Sequence, residues 1–364
     1  MKKIYFILFF IFFCCIILAE EVLKDVVTSR AFLVDSDGYI YVNSGEHSIV
    51  KYSPSGTLLL KMGKKGEGPS DIKRLGWFAI NPIDKNIYVC ERPGGNKWIS
   101  KFSIEGKYLG ELNCEVDWKK WEGITSIIFD HHGNIYLQLE NTIPRRHKDF
   151  TIGTVERVIT KFSPNGKALK EIYKFSADFY GDKGGKGNIT IPFHNYLYWT
   201  IYNDYIIVRE SWADFISIFD LQGNLIKKIP LPFKKEKVTK EDLDNWEARL
   251  KSIRWIKNGI AEGWFDLKYW KKSLPFPEYK PVSGYPLFID SHGFLYSMKS
   301  MGYNAVRAIC AKIDLSTGNV KIVNFRPGEW LLSTWKNYFF ILKLNDENNY
   351  VVVKIKEKEF LKNI

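Results

Sequence analysis

The sequence predicts an all-β protein, a six-bladed β-propeller with four-stranded antiparallel blades and one helical insertion between blades 4 and 5. Three observations lead to this prediction. Two short patterns recur in step along the chain, runs of β-branched and aromatic residues are bounded by turn residues, and one long stretch departs from the recurrence. The chain has 364 residues, of which 45% are hydrophobic and 16% aromatic, so a single closed β architecture could bury a large core.

The first recurring pattern is an apolar triplet that follows a turn rich in Asp, Asn or Gly. Its first copy is Ile40-Tyr41-Val42, and the other copies begin at Ile87, Ile135, Ile206, Leu295 and Phe339. The second pattern is a strand that ends in a glycine turn, as in Lys51-Tyr52-Ser53-Pro54-Ser55-Gly56. Its other copies end at Gly106, Gly166, Gly223 and Gly318. We therefore assign six repeats.

Each repeat carries the signals of short antiparallel strands joined by tight turns. Pro54 presets the backbone for the first central position of a turn, while Gly56 and Gly166 permit a positive φ where the chain reverses. A four-stranded sheet cannot bury both of its faces alone, and radial stacking of such sheets leaves only short edges exposed. Repeats of about 45 residues without helical periodicity favour a propeller over a helical solenoid.

The repeated sequence resembles the NHL-type repeat of six-bladed β-propellers. The resemblance lies in the pattern Asp-x-x-Gly followed by Ile-Tyr-Val and then by Lys-Tyr/Phe-Ser-x-x-Gly, and it covers nearly the whole chain after the leader. Gly66-Glu67-Gly68-Pro69, and residues 274–277 running into 288–293, resemble exported bacterial members of that class. The resemblance implies the fold, but it implies little about activity because this fold hosts both binding proteins and enzymes.

The amino terminus has the pattern of a signal peptide at residues 1–19. Lys2 and Lys3 precede fifteen apolar residues, from Ile4 to Leu18, and Ala19 precedes two glutamates. Because an apolar run of this length is short for a membrane span of about 20 residues, we expect cleavage and export to the periplasm or beyond. The alternative is a retained leader, which would be the one membrane attachment of the protein.

The predicted propeller spans residues 20–364, and its boundaries follow from the repeats. The blades are expected at residues 31–62, 76–112, 124–175, 196–229, 285–325 and 330–356. Since the sixth repeat shows three strands, we expect residues 22–27 to pair with residues 350–356 and close the ring. The helical insertion covers residues 234–280. There, Thr239-Lys240-Glu241-Asp242 resembles a capping box, and Leu243, Trp246, Leu250 and Ile253 form one apolar stripe.

The long connections should all lie on one rim of the ring. If the strands of a blade are lettered A to D, the A–B and C–D turns form one rim, here called the short-turn rim. The B–C and D–A connections form the other rim, here called the long-loop rim, and they include residues 63–75, 91–97, 113–123, 140–157, 176–195 and 230–284. In repeat proteins such a rim is often the binding face, so we place the function there.

The ends of the B strands are expected to line the central mouth on the long-loop rim. They carry charges of both signs, and Arg can hold a carboxylate or phosphate bidentately, so the mouth would suit a polar ligand. The alternative is a charged, water-filled channel without a ligand. The candidate residues are Glu91, Arg92, Glu140, Arg209, Glu210, Lys299 and Lys343, together with Arg145 and Arg146 from a loop long enough to fold over the mouth.

A metal site is the second hypothesis for the same rim. His47, His147 and His194 could together hold a zinc-like ion, and Glu91, Glu140 and Glu210 could contribute oxygen ligands to calcium. No spacing of ligands in the sequence supports either ion. His131, His132 and His292 are instead assigned to A–B turns, where Asp-x-His-Gly is ordinary turn chemistry.

These observations favour an exported, non-catalytic propeller that binds a protein, peptide or glycan, without a cofactor and as a monomer. The alternative is a metal-dependent hydrolase or lyase with its site in the channel mouth, since no Ser/His/Asp arrangement or P-loop is visible.

The net charge of +12 is attributed to a lysine-rich surface, and export excludes a nucleic-acid partner. Cys90, Cys114 and Cys310 are expected to be buried, inert thiols.

Overall fold

The structure is a computed structural model that describes most of the chain as six antiparallel sheets. The described residues are 20–23, 32–68, 70–91, 97–146, 150–182, 188–189, 193, 195–263, 266–268, 276–290, 292–299, 308–325, 330–344 and 350–358. The predicted six-bladed propeller is confirmed. Among the described residues, no helix has the length and apolar character needed to cross a membrane.

The first three blades contain thirteen strands. Blade 1 has β2 (Phe32–Val34), β3 (Ile40–Ser44), β4 (Ser48–Tyr52) and β5 (Leu58–Met62), and blade 2 has β6 (Leu75–Ile80), β7 (Ile87–Glu91), β8 (Ile99–Phe102) and β9 (Tyr108–Leu112). Blade 3 has β10 (Gly123–Phe129), β11 (Ile135–Arg146), β12 (Phe150–Phe162), β13 (Ala168–Asp182) and a short fifth strand, β14 (Asn188–Ile189).

The other three blades have four strands each. Blade 4 has β15 (Leu197–Tyr202), β16 (Tyr205–Glu210), β17 (Phe215–Asp220) and β18 (Leu225–Pro230), and blade 5 has β19 (Ser283–Ile289), β20 (Phe294–Lys299), β21 (Ala308–Asp314) and β22 (Val320–Phe325). Blade 6 has β23 (Trp330–Trp335), β24 (Tyr338–Leu344), β25 (Tyr350–Lys356) and β1 (Glu20–Leu23). The A strands β6, β10, β15, β19, β23 and β2 contact one another in that order, so they form the inner ring.

An amino-terminal strand closes the ring, as the sequence predicts. β1 pairs antiparallel with β25, with Glu20 opposite Lys354 and Glu21 opposite Val353. The predicted bounds of 22–27 were wrong at the start, because the strand already begins at Glu20; residues 24–27 lie outside the described part of the chain. The pairing covers the edge of β25 that would otherwise be exposed.

Blade 3 departs from the prediction of a loop at residues 140–157. β11 and β12 continue as one regular ladder from the pair Glu140 and Arg157 to the pair Arg146 and Thr151, and β13 follows β12 as far as Asp182. β10 pairs with β11 no further than Glu140. The remaining residues therefore form a three-stranded arm that extends roughly 20 Å beyond the blade at about 3.3 Å per residue. The β-branched residues of this segment, such as Thr151, Ile152 and Val155, suit a strand better than a loop.

Among the described residues, the hydrophobic core forms six clusters, each between two neighbouring blades. Between blades 1 and 2, for example, Tyr41 and Ile49 pack with Phe78 and Phe102. Between blades 6 and 1, the strand closure brings Phe340 and Val352 against Ile40. Because every core cluster needs residues of two blades, the blades stabilise each other as a ring.

A tyrosine in strand B recurs in four blades, and its hydroxyl donates to an aspartate of the A–B turn. The pairs are Tyr41 with Asp35 at 3.1 Å, Tyr88 with Asp84 at 2.8 Å, Tyr136 with Asp130 at 3.2 Å and Tyr296 with Asp290 at 3.0 Å. Burial and the nearby carboxylates raise the pKa of these tyrosines, so the phenols remain donors at neutral pH. Each tyrosine therefore holds its turn against its own sheet.

A lysine in strand C lies directly opposite each of these tyrosines, and we call the two residues the tyrosine–lysine pair. The pairs are Tyr41 with Lys51, Tyr88 with Lys101, Tyr136 with Lys161 and Tyr296 with Lys312. Three of the lysines reach the next blade, where Lys51 donates to the carbonyl of Ile104, Lys161 to that of Leu221, and Lys312 to the carboxylate of Glu357. The two recurring sequence patterns therefore also supply the residues that link neighbouring blades.

The helical insertion between blades 4 and 5 is confirmed. It contains α1 (Lys240–Ser252) and α2 (Arg254–Ala261). The predicted capping box is present, since Asp242 N donates to Thr239 Oγ1 at 3.2 Å and Thr239 N donates to Asp242 Oδ2 at 2.9 Å. Trp246 and Leu250 are buried, so the apolar stripe of α1 packs inward.

The three cysteines described by the structure are free thiols, as predicted. Cys90 and Cys310 are fully buried and Cys114 is partly buried. Burial raises the pKa of each thiol to about 12, so the reactive thiolate form is negligible at neutral pH.

Candidate functional site

A cavity of about 690 Å³ lies at the centre of the ring. It is lined by residues from the A strands of all six blades, and these strands have no sheet partner on their inner side. Backbone N–H and C=O groups of an unpaired strand edge can bind a ligand as well as water. The cavity is therefore the first place where the fold itself offers a site.

Aromatic rings and neutral hydrogen-bonding groups are interleaved in the cavity wall. The half-buried aromatic lining residues are Phe32, Trp77, Tyr198 and Phe288, whereas Phe78, Phe129 and Trp199 are buried in the cores between blades. The neutral polar lining residues are Ser36, Thr125, Ser126, Gln138, Thr200 and Ser333. Thr125 Oγ1 accepts from Gln138 Nε2 at 2.8 Å and lies 3.2 Å from the Gln138 carbonyl oxygen. This contact fixes the amide of Gln138, which comes from strand B, beside the inner strand.

The charged residues among the described lining are Asp35, Asp37 and Lys85. They belong to the A–B turns of blades 1 and 2, so the lining extends to the short-turn rim. The Oδ1 atom of Asp35 accepts from the backbone N–H groups of Asp37 and Tyr39, both at 2.9 Å. The carboxylate of Asp35 at this end of the cavity therefore already stabilises its own turn.

The predicted acidic residues on the B strands contact strands and connections of the ring. Glu91 is buried, and its Oε2 atom accepts from the backbone N–H of Arg74 at 3.0 Å. Glu140 accepts from Arg157 Nε at 2.8 Å. Glu210 accepts from Tyr173 at 2.6 Å and from Asn195 Nδ2 at 2.9 Å. None of the three is among the described lining residues of the central cavity.

Arg209 is fully buried between blades 4 and 5. Its Nη1 atom donates to Ser297 Oγ at 2.6 Å, and its guanidinium lies 4.7 Å from the ring centre of Tyr198, which lines the cavity. Burial lowers the pKa of Arg209 to about 10, so the side chain still carries its charge at neutral pH. Arg209 therefore supports a wall of the cavity from behind.

The other basic candidates are spread over different parts of the chain. Lys299 forms an ion pair with Glu236, which links the helical insertion to blade 5, and Lys343 is half-buried on β24. Arg145 and Arg146 lie on β11 opposite Ile152 and Thr151. Arg92 lies outside the described residues.

The predicted histidine metal site can be located only at His47, since His147 and His194 lie outside the described residues. His47 Nδ1 is 3.0 Å from the carbonyl oxygen of Ile72. This contact links the B–C turn of blade 1 to the connection between blades 1 and 2. The zinc and calcium hypotheses for the long-loop rim stay predictions.

In the part of the chain that the structure describes, two other groups of possible metal ligands lie on the short-turn rim, each with its ligand atoms within 4.8 Å of one another. In the first, His131, His132 and Asp204 are all exposed. The second contains Asp290, His292 and Glu357, and its carboxylates already hold the ammonium of Lys312 and the hydroxyl of Tyr296. As the sequence predicts, His132 and His292 also serve their turns, because their N–H groups donate to Asp130 and Asp290.

Sequence reasoning missed the residues of the central cavity, among them Trp77, Gln138 and Trp199. A usable signal was present, because each apolar triplet is preceded by an A strand and the first strand of a propeller blade lies innermost. Sequence patterns placed the site at the ends of the B strands, one strand further out, and that assignment stays a prediction.

Comparisons with known proteins identify fold relatives only. No family model matches the sequence, and no curated protein matches it either. A solved structure of a DUF4221 family member from Bacteroides vulgatus superposes with a TM-score of 0.52 at 12% identity, covering 93% of this chain and 94% of that one. A "Putative exported protein" from Bacteroides fragilis gives a TM-score of 0.49 at 12% identity, covering 92% and 93%. The likeness to the Bacteroides vulgatus protein is one of fold.

Proposed function

We propose that this protein is an exported, non-catalytic β-propeller that binds a neutral, hydroxyl-rich ligand of the glycan class in its central cavity. The observation that carries this proposal is the combination of aromatic and neutral polar residues in one cavity of about 690 Å³. That volume lies within the range of about 300–1,000 Å³ typical of small-molecule sites. Export rests on the leader pattern of residues 1–19.

The composition of the wall favours a sugar over a charged ligand. A sugar ring has apolar C–H faces that pack on aromatic rings and hydroxyl groups that exchange hydrogen bonds with amides, hydroxyls and backbone groups. Trp77 and Tyr198 supply rings, while Ser126, Thr200 and the six inner strand edges supply donors and acceptors. A polyanion would need cations along the wall, but Lys85 is the one cationic residue among the described lining residues.

The wall is also held rigidly, which lowers the entropy cost of binding. Arg209 stacks on Tyr198 from inside the blade, and Thr125 holds the amide of Gln138. Glu91, Glu210 and Lys299 link the long connections to the ends of the B strands, and Glu140 links β11 to β12. In this proposal, these residues support the site rather than contact the ligand.

The test uses the protein from residue 20 onward, screened against a glycan array and then titrated with the best glycan by calorimetry. Ser126→Phe places a ring in the cavity and should weaken binding at least tenfold. Ser176→Phe, at an exposed position of β13, is the matched control and should leave binding unchanged. Binding should also survive chelation by EDTA.

Three results would overturn the proposal. They are the absence of any glycan bound above background, equal binding by both phenylalanine variants, and selective retention of a peptide or protein instead of a glycan. Loss of binding and of a stoichiometric metal ion after EDTA treatment would favour the metal-dependent hydrolase or lyase.

A further inference from the structure

Blade 4 lacks the tyrosine–lysine pair that blades 1, 2, 3 and 5 contain. At the two equivalent positions it has Ile207 and Ile218, which lie opposite each other in the ladder of β16 and β17. Both isoleucines are buried. A phenol ring and a lysine stem are therefore missing from the space that faces blade 5.

The link to the next blade is nevertheless kept, by a lysine from a different strand. Lys227 lies directly opposite Ile218 in β18, one strand further from the axis. Its Nζ donates at 2.7 Å to the carbonyl oxygen of Leu315, in the C–D turn of blade 5. Lys51 and Lys161 make the same contact to Ile104 and Leu221 from strand C. The lysine on the outer strand therefore preserves the link between the blades.

A second cavity, of about 370 Å³, lies at this position between blades 4 and 5. Ile226 supplies its exposed apolar wall, the buried Ile207 and Ile218 lie beneath it, and Lys227 lies at one side. Tyr202 and Ser316 are among the polar residues at its edge. The cavity is open to solvent, since Tyr205 and Ile226 in its lining are 42% and 49% exposed.

We propose that this cavity is a second ligand site, separate from the central one, that takes a small, uncharged aromatic compound of the phenol class. The other blades show what such a space accommodates. There the ammonium groups of Lys51, Lys161 and Lys312 each lie 5.5 Å from the ring centre of the tyrosine opposite. Lys227 would face a bound ring in the same manner, because a lysine ammonium is attracted to the face of an aromatic ring.

The match between cavity and ligand rests on three features. Ile226 packs against the ring, Lys227 favours an aromatic ring over a saturated one, and the polar edge accepts a hydrogen bond from the ring hydroxyl or donates one to it. An anionic ligand would meet Asp314, whose pKa is lowered to about 2 by hydrogen bonds from Ser316 and Thr317. A neutral phenol avoids that repulsion.

The test measures binding of 4-ethylphenol by ligand-observed NMR and calorimetry, with 4-ethylcyclohexanol as the non-aromatic control. The phenol should bind saturably and at least fivefold more tightly than the cyclohexanol. Ile207→Tyr restores the tyrosine of the other blades and should weaken phenol binding at least tenfold. Ser126→Phe, which blocks the central cavity, should leave it unchanged, so this site is tested independently of the glycan site.

A second pair of variants keeps the test valid if Ile207→Tyr fails to fold. Ile226 and Leu225 are adjacent on β18 and are 49% and 51% exposed, but Ile226 lines the cavity and Leu225 does not. Ile226→Trp should weaken phenol binding at least fivefold, and Leu225→Trp should not. The proposal is overturned if 4-ethylphenol shows no saturable binding, if the cyclohexanol binds equally well, or if Ile226→Trp and Leu225→Trp behave alike.

Discussion

Arg209 on blade 4 donates a hydrogen bond to Ser297 on blade 5, and both residues are fully inaccessible to solvent. The residues are 88 positions apart in the sequence. A buried guanidinium is costly unless its donors are satisfied and its charge is placed favourably. Here the hydroxyl of Ser297 and the ring of Tyr198 both contribute. The contact joins two neighbouring blades close to the central cavity.

Arg209→Ala should therefore destabilise the fold. The variant leaves the hydroxyl of Ser297 without its donor and opens a cavity, and together these effects should lower the free energy of unfolding by about 3 kcal/mol. Arg209→Met fills most of the volume without a buried charge, so it should cost much less. Urea denaturation followed by circular dichroism measures both variants. Arg254→Ala, at an exposed position of α2, is the control, and equal stability of Arg209→Ala and Arg254→Ala would contradict the prediction.

The hydroxyl of Tyr296 should contribute to stability through the carboxylates that it contacts. It lies 3.0 Å from Asp290 Oδ2 and 3.2 Å from Glu357 Oε1. Tyr296→Phe removes the donor while two carboxylates remain, so the free energy of unfolding should fall by about 2 kcal/mol, as for other hydrogen bonds to charged groups. Thermal unfolding of Tyr296→Phe and of the exposed control Tyr205→Phe tests this. The prediction fails if the two variants unfold at the same temperature.

Asp84 should make stability depend on pH at the acid end. Burial alone would raise the pKa of Asp84, but hydrogen bonds from Lys101 and from Asn86 outweigh it and lower the pKa from 3.8 to about 2. A carboxyl group whose pKa is lower in the folded state stabilises the fold above its unfolded pKa. That contribution is lost as the pH falls through the folded pKa. The stabilising effect of Asp84 should therefore disappear between about pH 4 and pH 2.

The comparison of Asp84→Asn with the parent protein isolates this effect. At pH 7 the variant should be less stable by about 1 kcal/mol, because the pair with Lys101 is partly exposed and partly screened. The difference in melting temperature should shrink steadily below pH 4. Asp37→Asn, at an exposed turn position, provides the reference for a carboxylate removed from the surface. A difference for Asp84→Asn that persists unchanged at pH 2 would contradict the assignment.

The sequence was informative where structure is decided by near neighbours in the chain. The turn glycines are examples, since Gly56 and Gly166 have φ values of +84° and +86°. The capping box of Thr239 and Asp242 and the burial of Trp246 are others. Each depends on a few adjacent residues or on one periodic face, so a pattern in the sequence can carry it. The number of blades followed from repetition of such local patterns.

The candidate site was harder to predict because it depends on residues that are distant in the sequence. Glu91 and Arg209 were assigned to a ligand site because they end B strands. A pattern of near neighbours in the sequence does not show which distant residues such a charged side chain contacts. The partners, Arg74 and Ser297, come from a connection and from a neighbouring blade. The cavity between blades 4 and 5 was also not predicted, although the sequence has Ile207 and Ile218 at the two positions where four other blades have the tyrosine–lysine pair.

The last prediction concerns the closing strand and the leader. β1 is described from Glu20 to Leu23, and three of these residues have partners in β25. If cleavage occurs after Ala19, the mature protein keeps these four residues. Amino-terminal sequencing of protein isolated from its native source should then give Glu20 as the first residue. Intact Met1 in a cytoplasmic fraction would contradict both the cleavage and the proposed export.

Two truncations test the structural role of the same strand. A protein that starts at Glu20 should melt at the temperature of the full ring, whereas a protein that starts at Lys24 lacks β1 and exposes the edge of β25. The loss of two or three backbone hydrogen bonds, each worth about 1 kcal/mol, should lower the free energy of unfolding measurably. The open edge should also promote association of the shorter protein, since unpaired strand edges pair with other chains. Thermal unfolding and size-exclusion chromatography measure the two effects, and identical behaviour of the two truncations would show that β1 does not close the ring.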